Sequence, residues 1–163
     1  RGDEDMAGVI AEFDASVVLM HMQGSPRNMQ KNPVYDDVVE DITAFLASSI
    51  EIAENSGIAK EKIIIDPGIG FGKTTEHNLA ILNNLERFKK LGKRVLIGLS
   101  RKSFLGAITG RDENNRLAAG IAANVMCVLK GADILRVHDV AEMKDAVLTL
   151  NKIVGAHCDV PLN

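Results

Sequence analysis

The chain has 163 residues, 46% of them apolar and 25% charged, with a net charge of −3, the make-up of one soluble globular domain with a real core. The negative balance and an aromatic content of 4% argue against a nucleic-acid platform, which needs a basic excess and stacking rings, but leave room for a local cationic pocket. No apolar run reaches membrane-spanning length, "RGDEDM" is no signal peptide, and Cys127 and Cys158 stand far apart in the sequence, as expected of a reduced, cytoplasmic chain.

In chain order, residues 3–13 place Met6, Val9, Ile10 and Phe13 on one helical face. "SVVLM" (16–20) reads as a fully buried parallel strand. Residues 36–56 form the longest helical pattern, with Val38, Ile42, Phe45, Leu46 and Ile50 in register and Gly57 as its cap. "KIIID" (62–66) is a second buried strand. A helical period over 75–91 runs through Leu79, Leu82, Leu85 and Phe88 to a stop at Gly92. "RVLIGLS" (94–100) is a third strand. After the polar break "GRDENN" (110–115), a helix over 116–130 ends at Gly131, and "DILRV" (133–137) is a fourth strand. Asp139 and Glu142 resemble a capping box opening a last helix, with Val140, Met143, Val147 and Leu150 facing inward.

Strict alternation of strand and helix implies a parallel sheet with helices outside it, and such sheets bind ligands at the carboxyl ends of their strands. Those ends carry "HMQGSPRN", "DPGIGFGK", "SRKS" and "RVHD", whereas the opposite ends carry the plain connectors "SGIAKE", "LGK" and "KGAD". One end of the sheet is therefore a site. Four strands suit either a small open sheet or half of an eight-stranded barrel, which typically needs ~250 residues; a start on a helix favours the half-barrel.

"DPGIGFGKTT" (66–75) looks like a phosphate loop and is not one. Counted back from Gly72-Lys73-Thr74, the first P-loop glycine falls on Pro67, which has no N–H to give. Gly68, Gly70 and Gly72 are evenly spaced, which also fails the dinucleotide pattern. Asp66 at the strand end is either a turn or cap aspartate or a bidentate acceptor for two side-by-side N–H donors. Phe71 either plugs the mouth of the sheet or faces a flat ligand. Lys102 in "SRKS" either sits in a solvated basic turn or donates to a ring atom or an anion. Arg136 and His138 share one side of a strand by the period of two and precede a helix start, an arrangement suited to phosphate or pyrophosphate, with a structural histidine as the competing reading. His21 has no companion ligands for zinc, and no serine or cysteine sits as a nucleophile elbow. A carboxylate, a few cations, glycine-lined backbone and apolar rings suit binding a flat heterocycle and stabilising an anionic leaving group.

"LMHMQGSP", "IIIDPGIGFGK", "GLSRKSFLG" and "LRVHD", in this order and spacing, resemble the C-terminal half of the dihydropteroate synthase family. The resemblance implies a (β/α)8 TIM-barrel type fold, of which residues 1–163 form one domain with four parallel strands and helices outside. It implies a transferase of folate biosynthesis and target of sulfonamides. The family condenses 6-hydroxymethyl-7,8-dihydropterin pyrophosphate with p-aminobenzoate, giving dihydropteroate and pyrophosphate. Carried over by motif, Asp66, Met20, Gly98 and Lys102 would bind the pterin. Phe71 and Ser100 would contact p-aminobenzoate, and Arg136 and His138 would receive the pyrophosphate. Asp66, Lys102, Arg136 and His138 are then the catalytic set. Arg101 receives no role.

The family's N-terminal half has no counterpart in these residues. It carries an asparagine near the magnesium, two mobile loops, and further pterin-binding Asp and Asn residues. Mg2+ is thus implied as a cofactor whose protein ligand lies outside this chain. The chain alone is expected to show little or no turnover, and its two open strand edges point to a homodimer or a companion segment. The alternatives are a corrinoid-dependent methyltetrahydrofolate methyltransferase-type pterin domain, which "SRKS" and "RVHD" argue against, and a non-catalytic pterin-binding fragment.

Overall fold

The computed structural model describes residue 3 and residues 5–155; Cys158 and residue 4 of the first helical pattern lie outside the described residues. Four strands, β1 (Val17–Met20), β2 (Ile63–Asp66), β3 (Arg94–Ile97) and β4 (Ile134–Leu135), pair in parallel in the order of the sequence. The register sets Val17 beside Ile63 and Met20 beside Asp66, Ile65 beside Val95, and Ile97 beside Leu135. Among the described residues, seven α-helices connect and flank the strands: α1 (Met6–Glu12), α2 (Val38–Asn55), α3 (Thr75–Asn83), α4 (Leu85–Lys89), α5 (Ser103–Thr109), α6 (Leu117–Leu129) and α7 (Val140–Val154). Consecutive parallel neighbours with helices between them are the repeating unit of a (β/α)8 barrel, here four units that do not close.

β2 is buried at all four positions because it has a strand on each side and helices over it, and its Ile63-Ile64-Ile65 run is the sequence consequence. α2 drives the core through Ile42 and Leu46, both fully buried, each worth roughly 1.5–3 kcal/mol by area removed from water. Asp37 caps this helix by accepting from the N–H groups of Val39 and Glu40. Past its end, Gly57 and Ile58 donate to the carbonyls of Glu54 and Ala53, closing it as the sequence predicts. The amino-terminal pole of the sheet is tied off by ion pairs among its own connectors. Lys93 reaches Glu54 at 2.6 Å and Lys89 reaches Asp133 at 2.6 Å.

Several elements depart from the sequence pattern. β1 is an edge strand, with Val18 39% exposed, not a fully buried one. No residue of α1 is buried, and Met6, Val9 and Phe13 lie open. The apolar run on β1 and the face of α1 belong instead to a groove of about 820 Å³ that continues onto α2 through Phe45 and Ile52. Residues 75–91 do not form one helix. Asn84 turns its side chain back to the Ala80 carbonyl at 2.8 Å, and its own N–H shifts to Ile81, splitting the segment into α3 and α4. Leu79 is consequently exposed while Ile81, Leu82, Leu85 and Phe88 are buried. α5 forms over a stretch to which the sequence pattern assigns no element, burying Phe104 and Leu105. β3 stops at Ile97, and β4 is reduced to two residues. Asp139 does not cap α7, because Arg101 holds its carboxylate at 3.1 Å; Val140 accordingly points out, 64% exposed.

Candidate functional site

The carboxyl ends of β2, β3 and β4 bring together the residues singled out by sequence. Asp66, the last residue of β2, is 2% exposed. Its Oδ1 accepts the Gly68 N–H at 2.7 Å, and its Oδ2 accepts from Arg136 Nη2 at 3.2 Å. Arg136 gets there by crossing Gly98, where a Cβ would stand 3.1 Å from its guanidinium. A side chain at position 98 would therefore press on the guanidinium and make it shift by a few tenths of an ångström. Lys102 ends the turn after β3 and sets its Nζ 4.0 Å from the centre of the Phe71 ring, a cation over an aromatic face. A carboxylate, a guanidinium, an ammonium and a ring thus converge from three strands.

The loop after β2 is built to stay in one shape. At Gly68, with φ +72°, a Cβ would meet the His21 carbonyl oxygen at 1.9 Å, so only glycine lets this loop lie against the end of β1. Asn78 of α3, 2% exposed, accepts the Gly70 N–H at 2.9 Å and donates to the Thr74 carbonyl at 2.8 Å. Tyr35 donates its hydroxyl to the Gly72 carbonyl at 2.7 Å. Thr74 and His77 exchange capping bonds that start α3, as Thr followed by a side-chain acceptor at N3 should.

A family model described as pterin binding enzyme matches residues 1–138. The chain belongs to the pterin-binding enzyme family. It is 48% identical over 129 residues to the dihydropteroate synthase of Haemophilus influenzae, covering 79% of this chain and 47% of that one. It overlays the structure of dihydropteroate synthase from Stenotrophomonas maltophilia with active site-bound imidazole at a TM-score of 0.90 and 48% identity, over 95% of this chain and 58% of that one. The dihydropteroate synthase of Xanthomonas albilineans in complex with 7,8-dihydropteroate gives a TM-score of 0.87 at 40% identity, over 94% of this chain and 56% of that one. The chain spans about half the length of the curated relatives it matches.

In this member of the pterin-binding enzyme family the four predicted motifs do meet, though not in every predicted pairing. Arg136 and His138 lie beyond the two-residue β4, so the period-two argument for a common target does not hold. Arg136 goes to Asp66, while His138 places Nδ1 2.9 Å from Ser100 Oγ and donates its N–H to the same oxygen at 3.3 Å. Ser100 therefore holds His138. Met20 ends β1 directly beside Asp66. Arg101 gains a structural role: at φ 60° it accepts Arg116 Nη1 on its carbonyl at 2.9 Å and pairs with Asp139, joining the "SRKS" turn to the "RVHD" turn. Among the described residues, no group of three or more His, Cys, Asp or Glu side chains could hold a metal ion, and no helix is long and apolar enough to cross a membrane. Cys127 is buried in α6, which pushes its thiol up to about 12, so it is no nucleophile.

Burial dominates the titration of the site. It raises the Asp66 carboxyl above its ordinary range against the opposing pull of the Gly68 N–H, Arg136, Lys102 and Lys73. Burial likewise lowers the Lys102 ammonium, opposed by Asp66. Lys73, 4% exposed, is brought down to about 7 by burial, with Asp66 opposing and Lys102 adding. His21 falls to about 4, first by burial and then by the nearby Lys73. His21 thus stays neutral in the fold where an unfolded chain would take a proton. The His21 contribution to stability is full above pH 6.5 and is lost as pH falls from 6.5 to about 4, by on the order of 3 kcal/mol at ~1.36 kcal/mol per pH unit. Asp66 acts with the opposite sign, its contribution lost as pH rises through its elevated value. Urea midpoints at pH 7, 6, 5 and 4 should therefore fall clearly more steeply for the wild-type chain than for His21→Asn.

Proposed function

We propose that this segment carries the pterin and p-aminobenzoate half of a dihydropteroate synthase site, which condenses 6-hydroxymethyl-7,8-dihydropterin pyrophosphate with p-aminobenzoate. The observation that carries the reading is the convergence on Asp66, a nearly fully buried carboxylate flanked by Arg136 and, electrostatically, by Lys102. An ionised carboxylate offers about four lone-pair sites, so Asp66 retains acceptors for the paired N–H edge of an aminopyrimidine ring. Binding this edge also favours the charged form against the burial that raises Asp66. The relatives fit: one holds 7,8-dihydropteroate, and a second holds 4-aminobenzoate in one structure and 6HMPPP in another.

In this mechanism Asp66 orients the pterin, Met20 and Gly98 line its slot, and Lys102 donates to its ring carbonyl region. The bond between the pterin methylene carbon and the pyrophosphate oxygen breaks, and its electron pair leaves with pyrophosphate. Arg136 and His138 neutralise that charge as it forms. Phe71 and Ser100 hold p-aminobenzoate so that its amine lone pair closes the C–N bond, and the nitrogen then releases one proton. The contribution is positioning and electrostatics, without a covalent enzyme intermediate. Among the described residues no group of three or more His, Cys, Asp or Glu side chains could hold Mg2+, and on the family's pattern its protein ligand lies outside this segment. A cytoplasmic homodimer belongs to the same reading, supported by the two sheet edges that pair with nothing among the described residues.

The test is formation of dihydropteroate. Joined to the amino-terminal half of the Escherichia coli relative, whose matched region is 40% identical, this segment should turn over both substrates, and the 163 residues alone should show little turnover. Turnover by the segment alone at the rate of a full-length relative would contradict the half-site reading. A folded chimera that binds neither substrate would remove the assignment altogether.

A further inference from the structure

Lys73 closes the loop after β2, yet no substrate role falls to it and it points away from solvent. Its Nζ lies 2.9 Å from His21 Nδ1 and donates to the Phe71 carbonyl at 3.0 Å. Lys73 and His21 are 4% and 6% exposed. With Lys73 as an ammonium, which carries only donors, Nδ1 accepts and the neutral ring keeps its proton on Nε2. His21 is itself immobilised. It donates its N–H to the Asp66 carbonyl at 3.0 Å and stands edge-on to Phe45 at 4.9 Å. Tyr35, tilted against His21 at 6.0 Å, holds the next carbonyl of the loop at Gly72. The ammonium thus links a fixed ring on β1's end to the backbone of the residue whose side chain forms the ring-facing wall of the site.

We propose that Lys73 is a positioning residue: through His21 it anchors the Phe71 carbonyl and so fixes the Phe71 ring under Lys102, setting the p-aminobenzoate pocket without touching the pterin pocket. A buried ammonium is costly to keep, and the charged groups acting on it, Asp66 and Lys102, belong to the site itself. Asp66 has its own anchors in β2 and the Gly68 N–H and feels Lys73 only through space, behind Arg136 and Lys102, so loss of Lys73 should fall mainly on the p-aminobenzoate pocket. The substrate names rest on the function proposed above; the loop geometry does not.

Two readouts on the 163-residue chain test this: amide hydrogen exchange without ligand, and calorimetric titration with the pterin pyrophosphate followed by p-aminobenzoate. In Lys73→Met, the Gly70 and Phe71 amides, now bonded to Asn78 and the Gly68 carbonyl, should exchange about 10-fold faster as the local hold is lost. Amides of β2 and β3 should be unchanged. Affinity for p-aminobenzoate should fall about 10-fold, with the pterin affinity held within about twofold. Lys73→Arg, which keeps a cation and its donors, should recover most of both. Unchanged loop exchange, or a uniform rise across the whole sheet, would overturn the proposal, as would equal losses for both substrates. If Lys73→Met does not fold, Lys73→Gln decides, since wild-type behaviour there would equally overturn it. If the wild-type chain binds neither substrate, the proposed function falls, while the exchange arm still decides whether Lys73 holds the loop.

Discussion

Asp66→Asn should lose roughly 100- to 1000-fold in affinity for the pterin pyrophosphate, about 3 to 4 kcal/mol at roughly 1.4 kcal/mol per decade, while the chain becomes no less stable. Both halves follow from one fact. Asp66 is a buried carboxylate whose ionised form is disfavoured by its surroundings, so the fold gains little from the charge. The pterin edge, by contrast, presents two N–H donors, and an amide answers one of them with a donor of its own, leaving a clash in place of a charge-assisted bond. Paired calorimetry and thermal melts distinguish this from a folding defect. A loss of affinity accompanied by an equal loss of stability would assign Asp66 to the structure instead of the ligand.

Arg136→Ala is expected to separate the two ends of the same substrate. Arg136 is more than half exposed and meets Asp66 at 3.2 Å through one nitrogen, a contact weak enough to exchange for ligand. Without it, binding of the pterin pyrophosphate should weaken roughly 10- to 100-fold, within the range for charge-assisted phosphate contacts. A pterin alcohol lacking the pyrophosphate should bind at least as well as to the wild type, because its competitor for Asp66 is gone. Turnover in the chimera should fall with the pyrophosphate-bearing substrate's affinity, and added salt should depress the wild type more than the variant. Equal weakening for both pterins would place Arg136 on the ring and not on the leaving group.

Much of the site was legible before the fold. The buried run into Asp66, the glycines after it, and the cations after β3 and β4 all fall at strand carboxyl ends, so parallel topology alone gathers them. Pattern reading failed where one side chain outbid a local rule. Asn84 reads as a helical position until its amide takes the Ala80 carbonyl. Asp139 reads as a cap until Arg101, 38 residues earlier, claims it. The face of α1 reads as core because its periodicity is sound; what the periodicity cannot say is which surface covers it. The pairing of Lys73 with His21 is not legible in the sequence for a different reason. They lie 52 residues apart, each looks ordinary alone, and only the packing of the glycine loop onto the end of β1 makes them partners. The usable signal was a lysine placed after a run that could not be a phosphate loop, and therefore needed another partner.

The account stands on one assignment, that the loop opening at Asp66 receives a ring and not a nucleotide triphosphate. Titrating the isotopically labelled chain with the pterin pyrophosphate and, separately, with ATP tests it most directly. The pterin pyrophosphate should shift amide signals of residues 66–73, 98–102 and 136–139, with the Asp66→Asn chain silent at the same concentrations, and ATP should shift none of the 66–74 loop. Perturbation of that loop by ATP, or pterin-induced shifts confined to other faces of the sheet, would contradict it.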